Sequence, residues 1–356
     1  MARLDTFLRI AADQKASDLH FHAGKVPQIR YHGELSTMPF RVLSEPQVRT
    51  LLDELLTAEQ QATLDRESQV DFAYELSDVG RFRGSVCRQS GGLSAVFRVI
   101  PSGIPNLTDL ALPVSVAGFT RHANGLVLVT GPTGSGKTTT LAAMVDLINR
   151  TSGRHIITVE DPIEFVHSPK MGLVTQREVG LHVRSFAGAL RSALREAPDV
   201  LVVGEMRDFE TISLALTAAE AGVLVFATLH TGSASKALDR MMGAAPADQQ
   251  EQVREVLSVQ LRGVLSQRLC RLANGQGRVA APEILLQSAS VSHLIRESKV
   301  HQIDSYLSGG GDSARGMVSL EQSLGRLALE GRITSDEAYL QANDPLLVRA
   351  MLEMTA

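Results

Sequence analysis

The chain has 356 residues, 44% of them hydrophobic and 21% charged, enough for about two folded domains and unlike a peptide or a disordered tail. Its 35 basic and 39 acidic residues leave a net charge of −4, so the cationic surplus of a general nucleic-acid binder is missing. Only Cys87 and Cys270 are present, which excludes an intrachain disulfide framework or a four-cysteine zinc site and suits a reducing cytoplasm.

From the N-terminus, apolar residues at helical spacing between Leu4 and Ala12 predict a helix, and the short alternating runs LHFH and QIRYHGEL predict strands. No signal peptide is visible there, and nowhere do about 18 apolar residues run uninterrupted, so no membrane span is expected. A helix from Glu45 to about Leu64 follows. The strand-like runs VDFAYEL, GRFRGSVCRQS and GLSAVFRVI then complete an antiparallel-leaning α+β domain over residues 1–100. The proline-rich stretch PSGIPNLTDLALP reads as a linker over residues 101–114, with a short helix at Val114 to Arg121 after it.

From Gly125 the text changes to the apolar runs GLVLVT, HIITVE, DVLVVGE and GVLVFATLH, separated by helix-length segments, as expected of parallel strands covered on both faces. Residues 115–356 therefore read as a second, α/β domain. The spacing of Val253, Val256, Leu257, Leu261, Val264, Leu265 and Leu269 predicts one long amphipathic helix from about Gln249 to Leu272. The remainder, about 287–356, reads as helical; GRVAAPEILL before it is strand-like, and SGGGDSARG near residue 310 reads as a mobile loop.

Gly131, Pro132, Thr133, Gly134, Ser135, Gly136, Lys137 and Thr138 spell G-x-x-x-x-G-K-[ST] between a predicted strand and the helical run that opens with Thr139. Glycines let the backbone wrap an anion, amide groups and a helix N-terminus face the phosphates, Lys137 reaches the β and γ oxygens, and Thr138 offers a hydroxyl to Mg²⁺. Such a loop needs a carboxylate at a neighbouring strand end, and PDVLVVGEMRD supplies Glu205. In ITVEDPIEFVH, Glu160, Asp161 and Glu164 fall around Pro162, and one carboxylate there is expected to activate water. Glu164 is the preferred candidate, although spacing alone does not choose between it and Glu160. His230 closes the run VLVFATLH at the same expected sheet edge, as a γ-phosphate sensor or as a structural histidine. His20 and His22 alternate on one strand face with no third metal ligand nearby, and read as polar strand positions.

Together ASDLH, AVFRVIP, GPTGSGKTTTLAAM, ITVEDPIEFVH, TQREVG, ALRSALREAPDVLVVGEMRD, TISLALTAAEAG and ATLHTGSASKALDR resemble, in the same order, segments of the type IV pilus retraction ATPases (PilT-like) of the secretion ATPase superfamily. The resemblance implies a PAS-like N-terminal domain, a RecA-like ATPase domain and a hexameric ring that hydrolyses ATP with Mg²⁺ to retract pili. It implies an inner-membrane platform protein and a paralogous retraction ATPase as partners, no nucleic acid, and a cytoplasmic, membrane-peripheral location. It makes Glu164 the catalytic glutamate, Glu205 the Walker B carboxylate and His230 the His-box residue, and has arginines of the N-terminal domain reach the nucleotide, here Arg81, Arg83 and Arg98.

Two positions depart from the family pattern. Val223 stands where a histidine is frequent, and SVSHLIRESKV at Ser290 to Val300 keeps only Leu294, Ile295, Arg296 and Glu297 of a motif tied to retraction. Pilus assembly ATPases of the superfamily usually add a further N-terminal domain and a four-cysteine zinc module, for which this chain has no room; retraction is therefore expected over extension. An accessory paralogue that turns over poorly alone, or a RecA-like nucleic-acid motor, are the competing classes, the latter disfavoured by the net charge.

Overall fold

A computed structural model describes residues 2–31, 34–100 and 103–354. The backbone divides into two units. One holds the described residues up to Gly103 together with Pro162–Phe165; the other holds Ile104–Asp161 and the chain from Val166 onward. Pro101 and Ser102 of the expected linker, and His32 and Gly33 of the expected strand QIRYHGEL, lie outside the described residues.

In the N-terminal unit, α1 (Leu4–Asp13) is followed by β1 (Asp18–His22), β2 (Gln28–Tyr31) and β3 (Glu34–Thr37), then α2 (Glu45–Asp53), α3 (Ala58–Glu67), β4 (Gln69–Leu76), β5 (Gly80–Gln89) and β6 (Gly92–Val99). The strands form one antiparallel sheet in the order β3-β2-β1-β6-β5-β4. Phe21, Phe82 and Phe97 are buried in its core with Leu4, Leu8 and Leu52. The single helix expected from Glu45 to Leu64 is two helices. Thr57 caps the second, its hydroxyl accepting from the Gln60 amide at 3.3 Å while Gln60 Oε1 accepts from the Thr57 amide at 2.9 Å. This reciprocal pair satisfies amides that a continuous helix would not leave open, so the chain breaks and restarts there.

The C-terminal unit begins with α4 (Val114–Gly118) and a 3-10 turn, then β7 (Gly125–Thr130), α5 (Lys137–Thr151), β8 (His155–Glu160), β9 (Leu173–Glu178), α6 (Phe186–Ala193), β10 (Val200–Val203), α7 (Phe209–Glu220), β11 (Leu224–Leu229), α8 (Ala234–Gly243) and α9 (Gln250–Gln260). It ends with β12 (Leu261–Arg271), β13 (Arg278–Leu286), α10 (Ala289–Arg296), α11 (Ile303–Ser308), α12 (Leu320–Leu329), α13 (Ser335–Gln341) and α14 (Pro345–Glu353). Within the SGGGDSARG stretch, Ser313–Arg315 form a 3-10 turn. Seven strands form one sheet in the order β13-β12-β7-β11-β10-β8-β9, parallel except for β13. Every residue of β7 is buried, with Leu126 and Leu128 in the core on one face and Val127 and Val129 in the core on the other. That explains the unbroken apolar text of its strands. No helix of the described residues is long and apolar enough to cross a membrane.

The long helix expected from Gln249 to Leu272 is overturned: the helix ends at Gln260, and Leu261–Arg271 is strand β12, parallel to β7 and antiparallel to β13. Apolar residues three and four apart fit a helix face, but a strand buried on both faces yields the same mixture, and tertiary pairing decides. Gly263 allows that pairing, because a Cβ there would overlap the Phe119 ring and stand 2.5 Å from the Leu285 carbonyl oxygen. Gly263→Ala should therefore destabilise the C-terminal unit by about 1–3 kcal/mol, read as a lowered denaturation midpoint. An unchanged midpoint would show that β12 does not need this close approach.

Candidate functional site

In the register of the C-terminal sheet, β7, β11 and β10 are adjacent parallel strands, with Thr130 opposite Leu229 and Ala227 opposite Val203. Their C-terminal ends therefore lie side by side, where ligands of open α/β sheets bind. The residues that follow these ends are the glycine-rich loop, His230 and Glu205, respectively.

The loop folds tightly between β7 and α5. Gly131 has φ +144°, and a Cβ there would press on the Gln267 carbonyl and stand 2.5 Å from Ser135 Oγ. Gly136, at φ +88°, turns the chain into α5 with left-handed backbone that a β-carbon resists. Pro132, Thr133 and Gly134 are exposed at the rim, whereas Ser135 and Lys137 are buried and Thr138 and Thr139 are half-buried in the first turn of α5. Gln267 of β12 holds the loop from below, its Nε2 donating to the Ser135 carbonyl at 2.7 Å.

Lys137 Nζ donates to the carbonyls of Gly131 at 2.8 Å and Pro132 at 2.9 Å, and lies 3.4 Å from His230 Nδ1. Burial lowers the Lys137 pKa, against the pull of Glu205. Because an ammonium only donates, Nδ1 is the accepting nitrogen of His230; the proton then sits on Nε2, 3.2 Å from Glu205 Oε1. Glu205 Oε2 is 2.8 Å from Arg207 Nη2, and Arg207 Nη1 is 3.9 Å from Asp161 Oδ2. Burial alone would raise the Glu205 carboxyl, but the hydrogen bond and charge of Arg207, with the hydrogen bond from His230, outweigh it and hold it below the usual carboxylate range. Lys137, His230, Glu205, Arg207 and Asp161 thus form one continuous polar chain.

These residues fit a nucleotide with its Mg²⁺. The Ser135 hydroxyl is buried with no hydrogen-bond partner among the described residues, as are Thr130 Oγ1 and Gln267 Oε1, so polar atoms in and beside the loop remain unspent. Glu205 is ionised, and Thr138 lies one residue into α5, where the helix N-terminus favours anions.

Of the other carboxylates, Glu160 ends β8 and accepts from Thr158 Oγ1 at 2.6 Å and Gln176 Nε2 at 3.2 Å. Glu164 counts with the N-terminal unit, where its Oε1 lies 3.9 Å from Arg83 Nη1. In that unit Arg98 and Arg83 are direct partners across β6 and β5, and Arg81, two residues along, shares their face; Phe82, Gly84 and Val86 of β5 are buried on the opposite face. Arg98 Nε donates to Asp18 Oδ1 at 3.0 Å. His20 and His22 stack with ring centroids 6.2 Å apart, and among the described residues no group of His, Cys, Asp or Glu is arranged to hold a metal. Val223 is buried in the core.

Sequence reasoning missed Arg207 and Gln267. Arg207 follows Glu205 in GEMRD, where a cation two residues from a strand-end acid was the available signal. Gln267 was hidden because β12 was read as helix.

The model of the type II/IV secretion system protein family matches residues 2–310. The chain is 47% identical over 318 residues to a twitching motility protein of Neisseria gonorrhoeae, covering 89% of this chain and 84% of the relative. It is 46% identical to the type IV pilus retraction ATPase PilT of Pseudomonas aeruginosa, covering 95% and 97%. A crystal structure of the pilus retraction motor PilT with bound ADP superposes with a TM-score of 0.88 at 42% identity, covering 98% and 99%.

Replacing Gln267 with Leu keeps the bulk but removes the bond to the loop. It should weaken binding of a fluorescent ATP analogue about fivefold, as expected for about 1 kcal/mol. Unchanged affinity would show that the loop holds its shape without β12.

Proposed function

The chain belongs to the type II/IV secretion system protein family, and from that premise we propose that it is a hexameric ATPase motor that drives type IV pilus retraction, and with it twitching motility. The observation that carries this reading is near full-length similarity to PilT, at 46% identity over 95% of this chain and 97% of the relative. The gathered Lys137, His230 and Glu205 support ATP as the substrate.

In this reading ATP lies along the loop from Gly131 to Thr139. Lys137 exchanges the Gly131 and Pro132 carbonyls for β and γ phosphate oxygens, an exchange made easier because the buried ammonium gains an anionic partner. Thr138 and Glu205 hold Mg²⁺, which when bound neutralises phosphate charge. His230, donating from Nε2 to Glu205, senses whether that carboxylate and Lys137 are engaged. Glu164 orients or deprotonates the attacking water, and the Glu160 hydrogen bonds to Thr158 and Gln176 support its assignment to structure instead. Arg81, Arg83 and Arg98 stabilise phosphate charge, consistent with their shared face.

Residues 1–100 and 115–356 act as the moving domains, joined by 101–114. The ring works at the cytoplasmic face of the inner membrane against the pilus platform protein, alongside a paralogous retraction ATPase.

The purified full chain should hydrolyse ATP in a Mg²⁺-dependent reaction, and Lys137→Ala should abolish turnover. Residual activity near wild type in that variant would overturn the assignment. Turnover strongly stimulated by DNA and suppressed by salt would favour a nucleic-acid motor instead.

A further inference from the structure

Glu283, on β13, is 4% exposed and takes no part in the chemistry above. Its Oε1 accepts from the amide of Ala234 at 2.6 Å, and the amide of Leu320 also faces the carboxylate, favouring its charged form. Ala234 and Leu320 are the first residues of α8 and α12, so one buried carboxylate binds the N-terminus of α8 and faces that of α12. Each helix already has a serine cap: Ser233 Oγ accepts from the Lys236 amide, and Ser319 Oγ from the Gln322 amide. Glu283 satisfies a further amide in the first turn of α8 and adds the charge that both helix dipoles favour.

The clamp sits close to the nucleotide site. Three residues separate Ala234 from His230, whose imidazole spans Lys137 and Glu205. A second polar link joins α8 to α11: Ser233 and Ser235 hydroxyls lie 3.0 Å apart, and Ser235 Oγ donates to Asp304 Oδ2 at 2.9 Å. Helix α11 is therefore tied by a part-buried hydrogen bond to the segment that carries His230.

We propose that Glu283 is a positioning residue: by holding the first turn of α8 and facing that of α12, it fixes where His230 stands and couples the C-terminal helices to the nucleotide site. The charged groups facing it are Asp304 of α11 and Glu321 of α12, whereas α8 presents Ser233 and Ser235, and β12 places Ser266 opposite in register. Burial, helped by those two acids, outweighs the amide bonds and pushes the Glu283 carboxyl up to about 7. Above that pH the carboxylate accepts from α8 and offers its charge to both helix N-termini. Protonation removes that charge and turns one oxygen into a donor, loosening the hold on the helix N-termini.

The inference rests on the ATPase reading, and its test is made on the full chain. Glu283→Gln should lower kcat about tenfold at pH 8, leave KM for ATP within about twofold, and lose the acid limb of wild-type kcat centred near 7. Asp304→Asn keeps an acceptor for Ser235 but removes a neighbouring charge, so it should move that limb to lower pH. Wild-type kcat and pH profile in Glu283→Gln, or an unmoved limb in Asp304→Asn, would overturn the proposal; if Glu283→Gln does not fold, Asp304→Asn decides.

Thermal unfolding reads the same carboxyl without turnover and separates failure of this inference from failure of the ATPase reading. A carboxyl raised in the folded state contributes stability below its ordinary range that is lost as pH rises through its folded value. Wild-type Tm should thus fall more than that of Asp304→Asn as pH rises through about 7, and equal slopes would count against the clamp.

Discussion

Burying the ammonium of Lys137 is the constraint around which the C-terminal unit is arranged. A buried cation is tolerated only when its donors are satisfied, and here two loop carbonyls and an imidazole nitrogen do so. The carbonyls come from a loop that only glycine can close at Gly131. The imidazole comes from the end of β11, and its other nitrogen reaches Glu205, beyond the end of β10. Three adjacent parallel strands bring these groups together, and the sheet's two apolar cores make their positions stiff. In the proposed ATPase the same groups that satisfy Lys137 are traded for phosphate oxygens, so structural satisfaction and ligand exchange would use one set of atoms.

The antiparallel β12–β13 pair supports this arrangement from the other side. Gln267 on β12 holds the loop, and Glu283 on β13 holds the start of α8, just past His230. Both are polar side chains almost wholly withdrawn from water, each with specific backbone partners. Such groups are costly unless paired, which is why the pair carries the C-terminal helices and the nucleotide loop in a fixed relation within this unit.

Features governed by neighbouring residues were readable in the sequence. The phosphate loop, the strands GLVLVT and VLVFATLH, and the acid after DVLVVG all announce themselves over a few positions, because loop closure and strand termination are local. What long-range pairing decides was not readable. Leu261 to Arg271 has helix-compatible spacing and becomes a strand because β7 and β13 flank it. Glu45 to Leu64 looks like one helix until the Thr57 and Gln60 side chains break it. Spacing alone did not choose between Glu160 and Glu164, and the bonds Glu160 accepts from Thr158 and Gln176 become visible only once β8 is folded beside β9.

The most direct test of the account is made in cells: surface pili and twitching motility in a strain lacking the protein, complemented with wild type or with Glu205→Ala. A motor that retracts pili by hydrolysis predicts excess, immobile pili in the deletion strain, corrected by wild type and not by the variant. Unchanged pili and motility in the deletion strain, or full correction by Glu205→Ala, would contradict it.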